Sequence, residues 1–468
     1  MYCPSCKSSN HESASYCSCC GSPLIAQQPV QLEEKVAPTL LLQPGDDSSL
    51  RWERAPSPQP QSQMPRSASA ADTDFYAIDD LLSEQERHIR DLVRDFCDRE
   101  VIPIINDYWE REQFPFELLP KLGGMGITGG TIQGYGCPAL SAVAEGLVTQ
   151  ELARGDSGLY TFFGNHTSIA MRSIALYGSE DQKQRWLPAL ARLEKIAGFA
   201  LTEQNNGSSD TSRLSTQARR VGETYLLTGT KRWCVNANFA DVMVVWARDE
   251  NGKVGAFLVE KGTPGFEVRI IPGKMAKRTL WCTDITLNQV EIPLENRLPG
   301  VQSFQHAVTL LSDSRILIAW EATGLAIAAY EVALEYVKQR HQLGRPLTAF
   351  QLIQYRLVTM LSKVTCMQLM ALRASQLMDA GKLTGARASL AKMTTAQMAR
   401  EVIAEARDML GANGLLFENR IARYHADIEA LVTYDGPDAI QALIVGQAIT
   451  GQDAFGPSEE KRRPSRKA

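Results

Sequence analysis

The sequence lacks a long apolar run and lacks a strong excess of charge of either sign. No stretch of about 18 or more consecutive apolar residues occurs, so no membrane-spanning helix is expected. The formal net charge of −4 over 468 residues gives no reason to expect nucleic acid as a partner. The first residues, MYCPSCKSSN, lack the basic and apolar regions of a secretory signal. These absences favour a cytoplasmic protein with neither a nucleic-acid nor a membrane partner.

Cysteine is sparse outside the first twenty residues. Of the 10 cysteines, half fall in that short segment, and the rest are scattered through apolar or mixed surroundings. In a reducing compartment, scattered cysteines of this kind are expected to be small buried hydrophobic residues rather than disulfides. They are Cys97, Cys137, Cys234, Cys282 and Cys366.

The early cysteines form two closely spaced pairs. Cys3 and Cys6 make one Cys-x2-Cys pair, and Cys17 and Cys20 make the second. Two such pairs can place four thiolates around one Zn²⁺, and the metal would then supply the folding energy that so short a segment lacks. Residues 1–24 are therefore predicted to be a zinc ribbon, similar to those at the ends of many prokaryotic proteins. The alternative interpretation is a disulfide-linked or disordered tail, with Cys19 as a competing ligand.

The rest of the chain divides by composition and periodicity. Residues 25–72 are rich in Pro, Ser, Gln and Ala, which predicts a disordered linker. Residues 73–198 show helical periodicity, with Ser83 and Glu86 spaced as a capping box. Residues 199–298 are short β-rich runs between turns, and residues 299–455 return to long helical patterns typical of an antiparallel bundle. The prediction is an α+β fold, with a charged disordered tail at 456–468.

Two short stretches carry the chemistry that can be read from residues alone. The loop GFALTEQNNGSSD, residues 198–210, offers hydroxyls and free backbone N–H groups to a polar ring or a phosphate, although polar surface loops often look the same. In TYDGPDAI, residues 433–440, a Gly-Pro break leaves the carboxylate of Asp435 between two helical patterns. Asp435 could be a base aimed into a pocket. Asp435 or Asp438 could instead cap the next helix.

These stretches resemble the acyl-CoA dehydrogenase family. GFALTEQNNGSSD is similar to its LTEPxxGSD signature, RHQLGRPLTAFQLIQ (340–354) to RxxFGxPLxxxQ, and ARDMLGANG (406–414) to its FAD-pyrophosphate segment. AITGQDAF (448–455) resembles its last helix, and the likeness is greatest to the glutaryl-CoA dehydrogenase branch. The resemblance spans residues 75–455. It implies an N-terminal helical domain, a middle β-barrel-like domain and a C-terminal four-helix bundle.

The resemblance also implies FAD at a subunit interface of a homotetramer. Thr202 and Ser208 would lie beside the isoalloxazine, and Trp233 would flank it. The diphosphate and adenosine of FAD in the neighbouring subunit would be reached from the helical bundle. An Arg suits that task, because it is always charged and pairs with phosphate bidentately. The implied set of cofactor-binding residues is Thr202, Ser208, Trp233, Val235, Arg340, Gln351, Gly411 and Phe455.

Asp435 stands where the family carries its catalytic Glu, in the motif YEGT. That Glu removes the α-proton of an acyl thioester while the β-hydride passes to flavin N5. Asp is shorter than Glu by one C–C bond, about 1.5 Å. Some family members carry the base on an earlier helix, where this chain has Ser314, and the adjacent Asp313 would point about 100° away. Asp435 is therefore the candidate catalytic residue.

Other departures from the family pattern concern the flavin and the substrate. Val235 replaces a hydroxyl that hydrogen-bonds the flavin near N5, and Pro437 replaces the Thr of YEGT. Tyr160 stands where the glutaryl branch has an Arg, so no cation is expected there and glutaryl-CoA is not the expected substrate. The segment YTFF instead suggests an aromatic or weakly polar pocket wall, with at least one of its Phe side chains in the helix core. The implied substrate-binding residues are Tyr160, Thr161, Arg315 and Gly436.

Three functions remain open from the sequence. The first is an FAD-dependent acyl-thioester dehydrogenase acting on acyl-CoA, with an electron-transfer flavoprotein or O₂ as acceptor. The second keeps the fold but acts on an acyl or aminoacyl group tethered to an acyl carrier protein, as an oxidase or a flavin monooxygenase. The third is a non-catalytic scaffold or binding protein whose ribbon recruits partners. The departures at Val235, Asp435 and Pro437 favour a specialised substrate.

Overall fold

The computed structural model of the chain describes residues 73–207 and 213–453. Several sequence predictions fall on other residues and therefore lie outside the described part. They are the zinc ribbon (1–24) with Cys3, Cys6, Cys17 and Cys20, the linker (25–72), the cofactor contacts Ser208 and Phe455, and the tail (456–468).

The first part of the described chain is helical. Helix α1 begins at the predicted capping box, since the Ser83 hydroxyl accepts from the Glu86 N–H and the Glu86 carboxylate accepts from the Ser83 N–H. A π-helical segment at Asn165–Met171 prolongs α5, and such segments are frequent at functional sites. The helices are α1 (Glu84–Phe96), α2 (Ile105–Arg111), α3 (Leu119–Gly124), α4 (Ala142–Gly155), α5 (Ser157–Gly164), α6 (Arg172–Tyr177) and α7 (Glu180–Ala191).

In the described part of the chain, seven strands then form one mixed sheet. Its order is β1-β4-β2-β3-β7-β6, with β5 also paired to β4. Strand β4 pairs in parallel with β1 and β2, and the other pairs are antiparallel. The strands are β1 (Ala197–Ala200), β2 (Gln217–Val221), β3 (Thr224–Val235), β4 (Val242–Asp249), β5 (Val254–Glu260), β6 (Phe266–Ile270) and β7 (Cys282–Pro293).

The chain returns to helices after the sheet. Three long helices follow the predicted patterns closely, and a small hairpin of β8 (His341–Gln342) and β9 (Arg345–Pro346) connects the first two. Short connections make consecutive long helices antiparallel. The helices are α8 (Gln305–Gln339), α9 (Gln351–Asp379), α10 (Gly385–Met409), α11 (Ile421–Leu431) and α12 (Asp438–Thr450). The predicted fold class, a helical domain, a β domain and a helical domain in that order, is confirmed.

Helix α8 is the central core element. It packs against α4, α9 and α10, and the buried Arg154 of α4 pairs with Glu331 of α8 at 2.8 Å. Among the described helices, α8 is long and apolar enough to cross a membrane by length and composition, but its apolar window is wholly buried inside the protein. Burial of this helix in a protein core accounts for its apolar composition.

Two predictions of burial have different outcomes. Phe162 and Phe163 of α5 are both buried in the core, as expected for at least one of them. The prediction that the scattered cysteines are buried is wrong for Cys366, which is exposed on α9. Cys97 and Cys234 are buried, whereas Cys137 and Cys282 are only partly so. A single cysteine on a long amphipathic helix gives no signal of which face it occupies.

Candidate active site

Asp435 lies in the turn between α11 and α12, on backbone in the left-handed region. Its φ is 51°, an uncommon conformation for a residue with a side chain. The Ser314 hydroxyl of α8 donates to Asp435 Oδ2 at 2.6 Å. The second oxygen, Oδ1, is buried and has no hydrogen-bond partner among the described residues. The turn therefore presents a carboxylate that is held by one oxygen and has the other available.

Two positively charged side chains, Arg315 and Lys392, act on this carboxylate by their charge, and both donate hydrogen bonds to other residues. Burial raises the pKa of Asp435, although the charges of Arg315 and Lys392 and the hydrogen bond from Ser314 oppose the rise. The Arg315 guanidinium is buried and donates to Ser389 Oγ at 3.3 Å, not to Asp435. A carboxylate with a raised pKa and a free oxygen has the properties of a general base.

The capping interpretation of Asp435 is wrong. The residue at the N-cap of α12 is Pro437, and no side chain of the described residues caps that helix end. Asp438 occupies the first turn of α12, where a carboxylate interacts favourably with the helix dipole. The two base positions considered from the sequence face each other, since Ser314 bonds Asp435. Asp313 instead pairs with Arg172 at 2.8 Å.

A small cleft adjoins Ser314. Its volume is about 10 Å³, roughly what one water molecule needs, and side chains of α4, the π-helical segment, α6, α8 and α9 line it. Burial raises the pKa of Glu145 in this cleft, and the Ser168 hydroxyl donates to that carboxylate at 2.8 Å. The lining polar residues are Glu145, Ser168, Arg172, Asp313 and Ser314.

A cation does lie beside the predicted substrate residues, contrary to the expectation from the sequence. The Lys277 ammonium lies 2.5 Å from the Thr161 hydroxyl, and it forms a buried ion pair with Glu321 of α8. Tyr160 is buried, and burial followed by the charge of Glu321 raises the pKa of its hydroxyl. The charge of this cation is therefore balanced inside the protein before any substrate binds.

Sequence reasoning gave Lys277 and Glu321 no role. Lys277 stands in GKMAKRTL, which looks like an exposed basic turn. Glu321 did carry a signal, because it is an isolated carboxylate inside the apolar run LIAWEATGLAIAA. The partner of such a carboxylate comes from a segment 44 positions away in sequence, which only the fold brings close.

The predicted flavin residues of the β domain lie together. Thr202 follows β1, and its carbonyl accepts from the Arg232 N–H of β3 at 2.9 Å. Trp233 has a φ of 60° at a register shift between β3 and β7, and its indole is 51% exposed. Val235, at the end of β3, is buried. A β-bulge redirects side chains, and here it leaves a large aromatic ring of β3 uncovered.

The loop after Thr202 is organised around one buried carboxylate. Glu203 accepts six hydrogen bonds, three on each oxygen, and one of them comes from the buried Lys231 ammonium at 2.9 Å. The others come from Asn206 and from the backbone N–H and hydroxyl of both Ser215 and Thr216. Burial alone would raise the pKa of Glu203, but Lys231 and these donors hold it well below its usual range.

The remaining predicted cofactor residues lie at one end of the helical bundle. Arg340 ends α8, Gln351 begins α9, and both are exposed. The turn after Gly411 is joined to the same end, since Asn413 donates to the Tyr336 hydroxyl at 2.9 Å. The structure thus gathers Arg340, Gln351 and the Gly411 segment in one region and Thr202, Trp233 and Val235 in another.

Both regions fit the parts of FAD. An exposed indole on strained backbone offers a flat surface to an isoalloxazine ring. Gly411 has a φ of 59°, and apart from its chain neighbours no atom of the described residues lies within 4 Å of the position its Cβ would take, so a ligand can approach the backbone closely. The exposed N-terminus of the 29-residue α9 offers free N–H groups to a diphosphate.

Comparisons with known proteins agree with this arrangement. The models of the acyl-CoA dehydrogenase N-terminal, middle and C-terminal domains match residues 83–194, 198–290 and 304–450. An acyl-CoA dehydrogenase of Bacillus subtilis is 31% identical over 376 residues, which cover 79% of this chain and 99% of the relative. The crystal structure of glutaryl-CoA dehydrogenase from Mycobacterium smegmatis has a TM-score of 0.79 and 38% identity, covering 82% of this chain and 99% of that one. A second structure of a Mycobacterium smegmatis glutaryl-CoA dehydrogenase, in complex with FADH2, has a TM-score of 0.80 and 34% identity, covering 82% and 100%.

The fold and the comparisons together define an FAD-dependent oxidoreductase that acts on acyl thioesters. The chain belongs to the acyl-CoA dehydrogenase family.

Proposed function

We propose that this enzyme desaturates an acyl thioester between its α and β carbons, with Asp435 as the base. The observation that carries the proposal is the Asp435 carboxylate, which stands on left-handed backbone and is bonded through Oδ2 to Ser314, while its buried Oδ1 has no hydrogen-bond partner in the described part of the chain. The free Oδ1 takes the α-proton as the Cα–H bond breaks. When bound, FAD supplies the acceptor for the hydride that leaves the β carbon.

The residues around Asp435 would prepare it for this step. Ser314 holds Oδ2 of the carboxylate, so Oδ1, which has no partner among the described residues, would be the oxygen that meets the substrate. Arg315 and Lys392 favour the ionised form that accepts a proton, while burial keeps its proton affinity high. Tyr160, Thr161 and Gly436 would line the acyl group, since Thr161 and the Asp435 turn are joined through Lys277.

The proposed substrate is a specialised acyl group. The departures from the family pattern at Val235, Asp435 and Pro437 support this proposal. The Lys277 charge is already balanced by Glu321, which disfavours an acyl group ending in a carboxylate. An acyl-CoA is the first candidate, and the same acyl group on a carrier protein is the second.

An anaerobic titration of the yellow holoenzyme separates these two candidates. Short acyl-CoAs with and without polar substituents are added to one sample, and the same acyl groups on a carrier protein to another. We expect the flavin absorbance to bleach with acyl-CoA, because the family relatives act on that thioester. Bleaching by the carrier-bound group alone would contradict the acyl-CoA assignment and establish the second candidate.

Two further partners are proposed from the family and the surface. The electron acceptor is an electron-transfer flavoprotein, with O₂ as the alternative because Val235 replaces a hydroxyl near the flavin. The exposed apolar residues Leu352, Tyr355 and Val358 lie on one face of α9, and such stripes mark interaction surfaces. They support assembly into a homotetramer, in which FAD would contact the bundle end of a neighbouring subunit. The proposed compartment is the cytoplasm.

The N-terminal segment is proposed to be a separate zinc ribbon with Cys3, Cys6, Cys17 and Cys20 as ligands. Among the described residues, no group of three or more His, Cys, Asp or Glu side chains is placed to hold a metal ion. The support is therefore the spacing of the two cysteine pairs.

Removing residues 1–72 tests the independence of this segment. The full chain should carry one zinc per subunit by metal analysis. The truncated chain should carry none and should retain FAD and its melting temperature, because the domains that hold FAD begin after residue 72. As a matched control, a full-length Cys3→Ser/Cys6→Ser variant should lose zinc alone. Loss of FAD on truncation would contradict the ribbon's independence, and a zinc-free full chain would contradict its assignment.

A further inference from the structure

Lys277, Glu321 and Tyr434 form a polar cluster beside the Asp435 turn, in which Lys277 and Glu321 are buried and Tyr434 is half-buried. The Lys277 ammonium donates to the Thr161 hydroxyl at 2.5 Å, to the Glu321 carboxylate, and to the Tyr434 hydroxyl at 3.0 Å. The Tyr434 hydroxyl donates in turn to Glu321 Oε2, and Ser157 donates to Oε1 at 2.7 Å. The cluster thus ties α5, α8 and the segment before β7 to the residue that precedes Asp435.

The hydrogen bonds of this cluster are complete. All three donors of the ammonium have partners, and both oxygens of Glu321 accept hydrogen bonds. Burial, followed by the charge of Glu321, raises the pKa of Tyr434, so its hydroxyl remains a donor. A saturated cluster has no donor left for a ligand. A buried ion pair is also no more stabilising than apolar residues of the same size, so overall stability does not explain it.

The backbone of the Asp435 turn also accepts hydrogen bonds from side chains of α10 and α12. Gln441 of α12 donates from Nε2 to the carbonyls of Asp435 and Gly436, each at 2.9 Å. Lys392 of α10 donates to the Gly436 carbonyl at 2.9 Å. The backbone on which Asp435 stands, with its φ of 51°, is therefore fixed from the α10–α12 side by carbonyl contacts and from the α8 side by the Tyr434 hydroxyl.

We propose that Lys277 and Glu321 are positioning residues, which hold Tyr434 and thereby the left-handed turn that presents Asp435 to the substrate. The inference rests on the proposed role of Asp435 as the base. An Asp side chain is about 1.5 Å shorter than a Glu, so its placement depends more strongly on the backbone that carries it. The other groups that face Asp435 are Ser314, Arg315 and Lys392, and their polar contacts are with residues outside this cluster.

The Tyr434→Phe variant tests whether the Tyr434 hydroxyl positions Asp435, and it changes the shape of the side chain little. In the holoenzyme, mixed anaerobically with an acyl-CoA that reduces the wild type, we expect flavin reduction to slow by about 10- to 100-fold, because a shift of about 1 Å costs that much in rate. The dissociation constant, read from the ligand-induced change of the flavin spectrum, should change by less than about 3-fold, since binding contacts are kept. The matched control is Tyr424→Phe, which removes a buried hydroxyl 3.5 Å from the Arg154 carbonyl and should leave the rate unchanged.

Two companion experiments separate positioning from a general loss of structure. The double variant Lys277→Met/Glu321→Leu, which replaces the ion pair by apolar side chains, should slow reduction by the same factor as Tyr434→Phe, and adding Tyr434→Phe to it should have no further effect. Asp435→Glu should slow the enzyme with the intact turn but partly restore the rate in the Tyr434→Phe background, because a longer side chain depends less on the turn. A double variant that fails to fold leaves Tyr434→Phe and the Asp435→Glu comparison as the decisive measurements.

Two results would overturn the proposal. One is a wild-type rate in Tyr434→Phe, and the other is an equal effect of Asp435→Glu in both backgrounds. Failure of the base assignment has a different signature, because Asp435→Asn would then remain active whatever happens at Tyr434. An inactive Asp435→Asn with a fully active Tyr434→Phe would reject the positioning role alone.

Discussion

Replacing Asp435 by Asn should leave a yellow, folded protein whose flavin is reduced by substrate about 1,000-fold more slowly. The amide keeps the shape of the side chain and the hydrogen bond from Ser314, but it cannot take up the α-proton. General bases contribute about 100- to 10,000-fold to rate, so the loss should dominate the kinetics. Anaerobic stopped-flow mixing with substrate measures this rate, and the flavin spectrum before mixing measures the FAD content.

The neighbouring carboxylate provides the control. Asp438→Asn changes the same turn region but not the proposed base, and its rate should stay within about 3-fold of the wild type.

The pH dependence of the flavin reduction rate gives an independent check. Since burial raises the pKa of Asp435 and the base must be ionised, the rate should rise with pH through that raised pKa. Removing the Ser314 hydrogen bond by Ser314→Ala should move this rise to higher pH. Full flavin reduction in Asp435→Asn would show that another group takes the proton.

Replacing Glu203 by Gln should strongly destabilise the loop after Thr202, which lies beside the predicted flavin residues. Both oxygens of Glu203 accept a backbone N–H, from Ser215 on one and Thr216 on the other. Either orientation of the Gln amide therefore places an NH₂ group against a donor, and the buried Lys231 loses its counter-charge. Breaking a buried pair in this way costs about 3–5 kcal/mol of unfolding free energy. We expect a lower melting temperature and loss of FAD during purification, measured by calorimetry and by the flavin absorbance.

The surface pair of Glu260 with Arg185 is the matched control for Glu203. Glu260→Gln removes an exposed ion pair of 2.7 Å and should cost less than about 1 kcal/mol of unfolding free energy.

The stability of the Glu203→Gln variant should also depend on pH differently from that of the wild type. The lowered pKa of Glu203 stabilises the fold above its unfolded pKa of about 4.3, and this contribution is lost as pH falls toward the folded pKa. Glu203→Gln should therefore lose less stability than the wild type on acidification below about pH 4.3. Retention of FAD and of the wild-type melting temperature would contradict the role of Glu203.

The sequence alone determined the fold class and the order of its parts. Helices α8, α9 and α10 begin and end within a residue of their apolar patterns, and the box of Ser83 and Glu86 marks the start of α1. These features are local, because periodicity and capping depend on residues a few positions apart. The family motifs likewise led to Asp435, to the Trp233 segment and to the residues at the bundle end, since each lies within a short continuous stretch.

The tertiary structure decided how the charges are paired. The sequence predicted no cation near Tyr160, yet Lys277 reaches Thr161 from more than one hundred residues away and is neutralised by Glu321. The tertiary structure also brings the Ser314 hydroxyl to Asp435, leaves Asp435 away from the N-cap of α12, and places six hydrogen-bond donors around Glu203. The physical reason is that the strength of an electrostatic contact depends on distance and burial in space, and separation along the chain specifies neither.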